Sequence, residues 1–273
     1  MNVTKKLRFI NYFAIVVLII GIFSFSIVQM KKQEVINTSA TNNISNKKIG
    51  WGIKRNDNHE QPDVGKENKR LLEENNGISL GNNDKKYIYL TFDQGYEAGY
   101  TKQILETLKN NQVTGTFFIT AHYVNSQPEL VKQMIDEGHI IGNHTVNHKS
   151  MPEIDDEKVK SEIMELHTIV YQKFGYEMKY MRPPKGEFSE RTLKLTQTLG
   201  YKTVMWSFAY EDWNENKQPD EEKAKTKILN NLHNGEIMLL HGNSKTNTNV
   251  LDSVIKEAKN MGYEFKSLDE FEK

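Results

Sequence analysis

Side chains able to carry acid–base or metal chemistry follow five separate apolar runs of the sequence. They are Asp93 and Gln94 after the first run, His144 and His148 after the third, Arg182 at the end of the fourth, Asp212 after the fifth, and His241 at the end of the sixth. Two histidines four residues apart share one face of a helical turn, and imidazole nitrogen is a common metal ligand. Carboxylates and imidazoles are also frequent general bases and acids in enzymes. The set therefore favours one site that holds a metal and transfers protons.

Each group taken alone is explained as well by an ordinary structural role. Asp93 could cap the helix that follows it, His144 and His148 could lie on the surface, and His241 could be a core histidine. Arg182 precedes two prolines and could simply begin a rigid turn. Together these explanations require five coincidences at five strand ends, and we therefore favour the shared site.

The elements that must position these groups alternate between strand-like and helical patterns from Tyr87 onward. Strands are predicted at Tyr87–Phe92, Val113–Thr120, His139–Asn143, Lys179–Arg182, Tyr201–Ser207, Glu236–His241 and Tyr263–Lys266. Helices are predicted at Thr101–Asn111, Pro128–Glu137, Asp155–Phe174, Ser189–Leu199, Asp220–Leu232 and Asn249–Met261. This alternation predicts parallel strands with right-handed crossovers, and about seven strands favour a barrel-like α/β fold. In such a barrel the chemistry lies where the strands end, as the five groups do.

The composition limits the possible functions and the possible metal ligands. The 273 residues carry 36 basic and 36 acidic side chains and no cysteine. A net charge of zero argues against a nucleic-acid binder that works by bulk electrostatics. The lack of cysteine excludes disulfides, thiolate metal sites and cysteine nucleophiles. Any metal must therefore be held by histidine and oxygen ligands, while the oligomeric state is not indicated.

The first 30 residues consist of a basic tip and an apolar stretch. The segment Phe9–Met30 contains no charged residue and has about the 20 residues that a membrane-spanning helix needs. Three basic residues before it favour a cytoplasmic N-terminus. We expect a single-pass anchor in the cell membrane with the remainder outside the cytoplasm; the alternative is a cleaved signal peptide and a secreted protein. We further expect a flexible linker at residues 31–48, a packed N-terminal extension at residues 49–86 and the catalytic domain at residues 87–273.

From Tyr87 to Phe271 the sequence resembles the polysaccharide deacetylases of the NodB-homology type. The resemblance rests on the five ordered groups and implies a distorted (β/α) barrel that removes N- or O-acetyl groups from polysaccharides with a divalent metal, usually zinc. It assigns Asp93 as the catalytic base, and His144 and His148 as metal ligands. Gln94 stands where the family usually has an aspartate as the third ligand. Because a neutral amide is a weaker zinc ligand than a carboxylate, we expect Gln94 to contribute weakly at most.

The same resemblance assigns roles to the remaining groups. Arg182 matches the arginine that orients the base, and His241 matches the histidine that acts as the general acid. Asp212 and Trp213 fall in the motif that supports this histidine. Ala209 departs from the family, which often has an aspartate three residues before Asp212.

Three features resemble one subgroup, the delta-lactam-biosynthetic de-N-acetylases. They are the amide Gln94, the continuation Gly95-Tyr96-Glu97, and the upstream segments 50–54 and 61–63. Members of this subgroup deacetylate N-acetylmuramic acid in peptidoglycan, and the freed amine is later joined to the lactyl carboxyl to give the muramic δ-lactam of the spore cortex. The resemblance therefore implies peptidoglycan glycan strands as the substrate.

The residues expected to contact the sugar are Tyr96, Pro183, Gly186 and Trp213. Other substrates stay open from the sequence: N-acetylglucosamine or chitooligosaccharides, or an acetyl ester. A function of a different class is a cell-wall-binding protein whose metal site has degraded. Gln94 and Ala209 support this last interpretation, whereas the retained acid, base and histidine pair oppose it.

We predict that Asp93→Asn and His241→Ala each lower kcat at least about a hundredfold, because a general acid or base typically contributes that much or more. Deacetylation rates of the purified variants measure the effect, and circular dichroism checks that each variant is folded. A folded variant with a near-normal rate would contradict the role of the residue replaced.

Overall fold

The computed structural model describes residues 44–273. The predicted anchor at residues 1–30 and most of the predicted linker lie outside the described residues. Within residues 44–273, no helix is both long enough and apolar enough to cross a membrane.

The strands of the described region are short apart from two. In chain order they are β1 (Ile49–Gly50), β2 (Tyr87–Gln94), β3 (Thr116–Ile119), β4 (Ile140–Asn143), β5 (Tyr180–Met181), β6 (Glu187–Phe188), β7 (Lys202–Thr203), β8 (Glu236–His241) and β9 (Glu264–Phe265). Seven of them form a parallel sheet in the order β7-β5-β4-β3-β2-β8, with β9 paired to the first residues of β2. The prediction of about seven parallel strands is confirmed for residues 44–273.

The helices connect these strands. They are α1 (Lys66–Glu74), α2 (Thr101–Asn110), α3 (Ala121–Ser126), α4 (Pro128–Asp136), α5 (Asp156–Phe174), α6 (Glu190–Thr198), α7 (Glu221–Asn230) and α8 (Lys245–Asn260). The six predicted helices are confirmed, with shifts at their ends. The longest, α5, begins after Asp155, whose carboxylate accepts a hydrogen bond from Lys158 N at 2.7 Å, and ends at Gly175 in the left-handed conformation. The sequence patterns did not predict α1 and α3.

The sheet is a distorted barrel because β7 and β8 do not share a continuous ladder. Single bridges link the two edges instead: Ile78 with Val204, Leu80 with Glu236, and Phe208 with Met238. Residues of the N-terminal extension therefore fill part of the gap between the edge strands. The chain after β7 closes the rest by running beside β8.

Apolar side chains on both faces of the central strands hold the sheet and the helices together. The rings of Phe92 and Phe117 stack with their centroids 5.0 Å apart and are fully buried. Strand β2 is buried along most of its length, as expected for a parallel strand covered on both sides. Burial of apolar area at about 25 cal/mol per Å² is the main source of stability in such a core.

The N-terminal extension packs on one side of the sheet. Strand β1 pairs with β6 in antiparallel register, placing Ile49 opposite Phe188. Leu71 and Leu72 of α1 are buried in a cluster with Phe188 and Met205. The extension thus contacts the chain segments that follow β5 and β7, both of which lead into the rim of the barrel.

We predict that Gly235→Ala lowers the free energy of unfolding by about 3 kcal/mol, combining left-handed strain with overpacking. Gly235 has φ 64°, and an added Cβ would lie 2.4 Å from the carbonyl carbon of Gly81. The matched control is Gly138→Ala, which has φ 80° but open space around its Cβ, and it should lose only about 1 kcal/mol. Urea denaturation of both variants measures the difference. Equal losses would mean that the contact between Gly235 and Gly81 is not close-packed.

Candidate active site

The register of the sheet brings the predicted groups together at one rim. Asp93 and His241 are paired residues on the neighbouring strands β2 and β8. Asn143 pairs with Met181 across β4 and β5, and each is followed directly by a site residue. Because parallel strands end on the same side of a sheet, the side chains that follow them converge.

Asp93 and Arg182 form an ion pair at the base of the site. Arg182 Nη1 donates to Asp93 Oδ1 at 2.8 Å, and the Arg182 side chain is fully buried. Its Nε donates to the carbonyl of Val204 at 3.1 Å, and its guanidinium lies 4.2 Å from the ring centroid of Phe118. Burial opposes ionisation of Asp93, but Arg182, His144 and His241 outweigh it and hold the pKa of this carboxyl below its usual range. Asp93 is therefore an ionised base at neutral pH.

The two histidines face each other through their Nε2 atoms. His144 Nδ1 donates to the carbonyl of Arg182 at 2.8 Å, which leaves the lone pair on Nε2. Burial is the main cause that lowers the pKa of His144, and partial burial with nearby His144 lowers that of His148 to about 4. Both rings are neutral at pH 7, the state in which imidazole binds metals.

The histidine pair fits two positions of a zinc site. The Nε2 atoms of His144 and His148 are 3.1 Å apart, and two imidazole nitrogens on one tetrahedral zinc are about 3.3 Å apart. Asp93 Oδ2 lies 3.6 Å from His144 Nε2, on the same side. Across residues 44–273, however, no three His, Asp or Glu side chains form a metal-binding group. The pair therefore supplies two nitrogen ligands and leaves the remaining positions to water or substrate.

Gln94 is not among the residues that line the cavity with the histidine pair, and its expected role as a weak metal ligand stays a prediction. As the residue after Asp93 in β2, it projects to the opposite side of the strand. Its Nε2 donates to Thr101 Oγ1 at 3.2 Å, while a Cβ on Gly242 would lie only 2.2 Å from this nitrogen. The Gly242 backbone thus packs closely against the Gln94 amide, whose buried Oε1 has no hydrogen-bond partner among residues 44–273.

His241 is oriented by Asp212 as the sequence predicted. His241 Nδ1 lies 2.7 Å from Asp212 Oδ1, and the backbone N of His241 donates to Asp212 Oδ2 at 2.9 Å. Burial favours the neutral ring, but the charge and hydrogen bond of Asp212 prevail and raise the pKa of His241. With Nδ1 engaged, Nε2 is the atom of this ring available to substrate.

The site opens into a cavity of about 980 Å³. Its walls include the base, the histidine pair and His241, and also the sugar-contact candidates Tyr96, Gly186 and Trp213. Tyr96 and Trp213 are about half exposed, so their rings present apolar faces for a sugar. Pro183 was expected here too, but it is buried under the turn and only its carbonyl is used, accepting a hydrogen bond from Gly186 N at 3.1 Å. That expectation is corrected.

The sequence analysis missed several further cavity residues, among them Asn243, Trp206 and Lys185. Asn243 Nδ2 donates to Tyr96 Oη at 2.6 Å and to the carbonyl of Trp213 at 3.0 Å, so it joins the two aromatic walls. Trp206 and Lys185 also line the cavity. No spacing rule marks an isolated amide or lysine as functional, although Asn243 does follow His241 by two residues at a strand end.

Comparison with known proteins agrees with this geometry. A family model described as polysaccharide deacetylase matches residues 80–204. The peptidoglycan-N-acetylmuramic acid deacetylase PdaA of Bacillus subtilis is 46% identical over 84% of this chain and 89% of its own length. The chain belongs to the polysaccharide deacetylase family. The solved structure of PdaA, described as a family 4 carbohydrate esterase, covers 84% of this chain and 98% of its own, with a TM-score of 0.81 and 45% identity.

A second relative within the polysaccharide deacetylase family is named for a different sugar. A peptidoglycan-N-acetylglucosamine deacetylase of Bacillus cereus is 35% identical over 69% of this chain and 89% of its own length. Membership makes the chain a hydrolase that removes acetyl groups from carbohydrate.

We predict that Asp212→Asn moves the alkaline limb of the kcat/KM profile to lower pH. Asp212 raises the pKa of His241, so removing its charge lowers that pKa and His241 loses its proton earlier as the pH rises. The rate at neutral pH should fall at least about tenfold. Rates measured across the pH range test this, with the exposed neighbour Glu211→Gln as a control that keeps the limb in place. An unmoved limb in Asp212→Asn would show that another group controls it.

Proposed function

We propose that this polysaccharide deacetylase hydrolyses the N-acetyl group of N-acetylmuramic acid in peptidoglycan. The observation that carries the proposal is the pairing of Asp93, whose pKa is lowered, with His241, whose pKa is raised, on adjacent strands at one cavity. Amide hydrolysis needs both groups, since water must lose a proton and the departing nitrogen must gain one.

Asp93 performs the first proton transfer. Its carboxylate is held by Arg182 through Oδ1, which leaves Oδ2 on the side of the histidine pair to accept the proton of the attacking water. Arg182 makes no direct contact with solvent, so its role is to aim the base and to keep it charged.

His241 performs the second proton transfer. Asp212 keeps its ring protonated and points Nε2 into the cavity, where the amide nitrogen becomes the leaving group. Two groups with opposite pKa shifts thus divide the roles of base and acid, a common pattern in enzyme active sites. The bond between the acetyl carbon and nitrogen breaks, giving acetate and a free amine on the sugar.

A divalent metal is part of this proposal, with zinc as the metal that the ligand types favour. His144 and His148 would hold it, and when bound it would polarise the acetyl carbonyl and lower the pKa of water. Because the protein offers two nitrogen ligands rather than three ligands, we expect weaker metal binding than in a site completed by a carboxylate.

Two arguments support muramic acid as the sugar. The relative named for N-acetylmuramic acid is 46% identical over 84% of this chain, whereas the relative named for N-acetylglucosamine is 35% identical over 69%. The cavity is also large enough for a sugar with a bulky substituent. We propose further that the product leads to the muramic δ-lactam of the spore cortex.

The proposed location is the outer side of the cell membrane. The substrate lies in the wall, outside the cytoplasm, and the apolar stretch Phe9–Met30 suits a single-pass anchor. The anchor lies outside the described residues, and its cleavage would give a secreted form of the same enzyme.

We predict that the protein releases acetate from purified peptidoglycan and leaves muramic residues deacetylated. Mass spectrometry of the digested glycan identifies which sugar has lost its acetyl group. Treatment with a chelator should lower the rate, and added zinc should restore it, because the histidine pair needs a bound metal to act. The control His59→Ala, an exposed histidine absent from the cavity lining, should keep the wild-type response to metal.

Three results would contradict parts of this function. Deacetylated glucosamine in place of muramic acid would reassign the sugar. Ester hydrolysis without amide hydrolysis would reassign the reaction. Binding to peptidoglycan with no acetate released in the presence of zinc would indicate a wall-binding protein.

A further inference from the structure

Lys185 is an unpaired cation in the cavity wall. Within the described part of the chain, it is the only lysine or arginine among the cavity-lining residues, and it makes no ion pair there. The only carboxylate in the same wall is Asp93, which Arg182 already neutralises. The cavity therefore carries one positive charge at Lys185 that no acidic side chain balances.

The acidic side chains nearest to the turn are paired with another lysine. Lys48 Nζ lies 2.6 Å from Glu153 Oε1 and 3.6 Å from Glu187 Oε1. Glu153 is near enough to Lys185 for the two charges to interact, and yet its hydrogen bond goes to Lys48. Lys48 therefore forms ion pairs with both carboxylates, and Lys185 remains available to bind a ligand.

The backbone presents Lys185 in a conformation that L-residues rarely adopt. Its φ is 59°, directly before Gly186 at φ 65°. Gly186 is packed so closely that a Cβ on it would lie 2.7 Å from the ring of Trp206, and its carbonyl accepts from Trp51 N at 2.8 Å. A left-handed non-glycine residue needs surroundings that hold it in place, and such residues are concentrated at ligand sites.

The N-terminal extension supplies this support. Strand β1 pairs with β6, placing Gly50 opposite Glu187 two residues after Lys185. Trp51 Nε1 also donates to the carbonyl of Trp206 at 2.9 Å, fixing the neighbouring wall. Strand β1 and Trp51 therefore hold the outer side of the turn, and Lys185 lines the cavity on its other side.

The position of Lys185 relative to the reacting centre matches the chemistry of muramic acid. Lys185 and the histidine pair line the same cavity. Muramic acid carries its lactyl carboxylate on the ring carbon next to the one that bears the acetamido group. When the acetamido group is at the histidine pair, the carboxylate is necessarily a few bonds away.

We propose that Lys185 binds the free lactyl carboxylate of N-acetylmuramic acid and so makes the enzyme favour this sugar over N-acetylglucosamine. The inference rests on the proposed function, since it concerns the substrate of the same cavity. Glucosamine has a hydroxyl at the corresponding carbon and would leave the Lys185 charge unpaired. A lactyl group already joined to a peptide through an amide would do the same.

The test compares two substrates that differ only at this carboxylate. One is a glycan strand whose muramic residues have a free lactyl carboxylate, and the other is the same strand with the carboxylate converted to an amide. The wild-type enzyme should show a kcat/KM about tenfold higher on the free acid, because a hydrogen bond to a charged group contributes that order of magnitude.

Lys185→Met should remove this preference by lowering the rate on the free acid about tenfold more than the rate on the amide. Lys185→Arg should keep the preference, since it keeps the charge. The matched control is Lys173→Met, an exposed lysine in the last turn of α5, which should behave as wild type.

The outcomes separate this inference from the function on which it rests. Equal losses on both substrates in Lys185→Met would mean that Lys185 only stabilises the turn, and equal wild-type rates on acid and amide would overturn carboxylate recognition. In either case deacetylation of muramic acid by the wild type would still stand. Deacetylation of glucosamine alone by the wild type would overturn both the sugar assignment and the role of Lys185.

Discussion

The buried ion pair between Asp93 and Arg182 is the interaction on which the rest of the site depends. The Arg182 guanidinium holds the base at 2.8 Å, and the Arg182 carbonyl holds the Nδ1 proton of His144 at the same distance. One residue therefore sets the charge of Asp93 and the tautomer of His144. Breaking a buried pair leaves an uncompensated charge, which costs about 3–5 kcal/mol. The sheet must consequently keep β2, β4 and β5 in fixed register for the chemistry to exist.

The acid and the base differ because their partners differ. Both Asp93 and His241 are largely buried, and burial alone would neutralise both. A cation beside the carboxyl and a carboxylate beside the imidazole each reverse that tendency. The partners thus favour the charged form of the base and the protonated form of the acid on paired residues of adjacent strands.

The sequence predicted the site residues that follow regular strands. It did not predict features that depend on the local conformation of the backbone. The five groups could be located because parallel strands end together, and the pairing of Asp93 with His241 agrees with that reasoning. The hydrogen bond of Gln94 to Thr101 could not be predicted, because family motifs carry residue types and not the direction in which a side chain projects. The short helix α3 follows a strand after a single residue, so its six residues gave no helical period to detect. The left-handed turn at Lys185 depends on contacts with residues more than a hundred positions earlier, which no local pattern contains.

The pairing of β1 with β6 joins the N-terminal extension to one wall of the cavity. The groups that cleave the amide follow strands of the sheet, whereas the turn beside them is held by residues 49–51 of the N-terminal extension. Trp51 donates hydrogen bonds to the carbonyl of Gly186 and to that of Trp206, so the extension and this wall form one unit. Exchanging residues 49–51 together with the Lys185 turn is therefore a way to change the shape of one wall of the cavity as a whole.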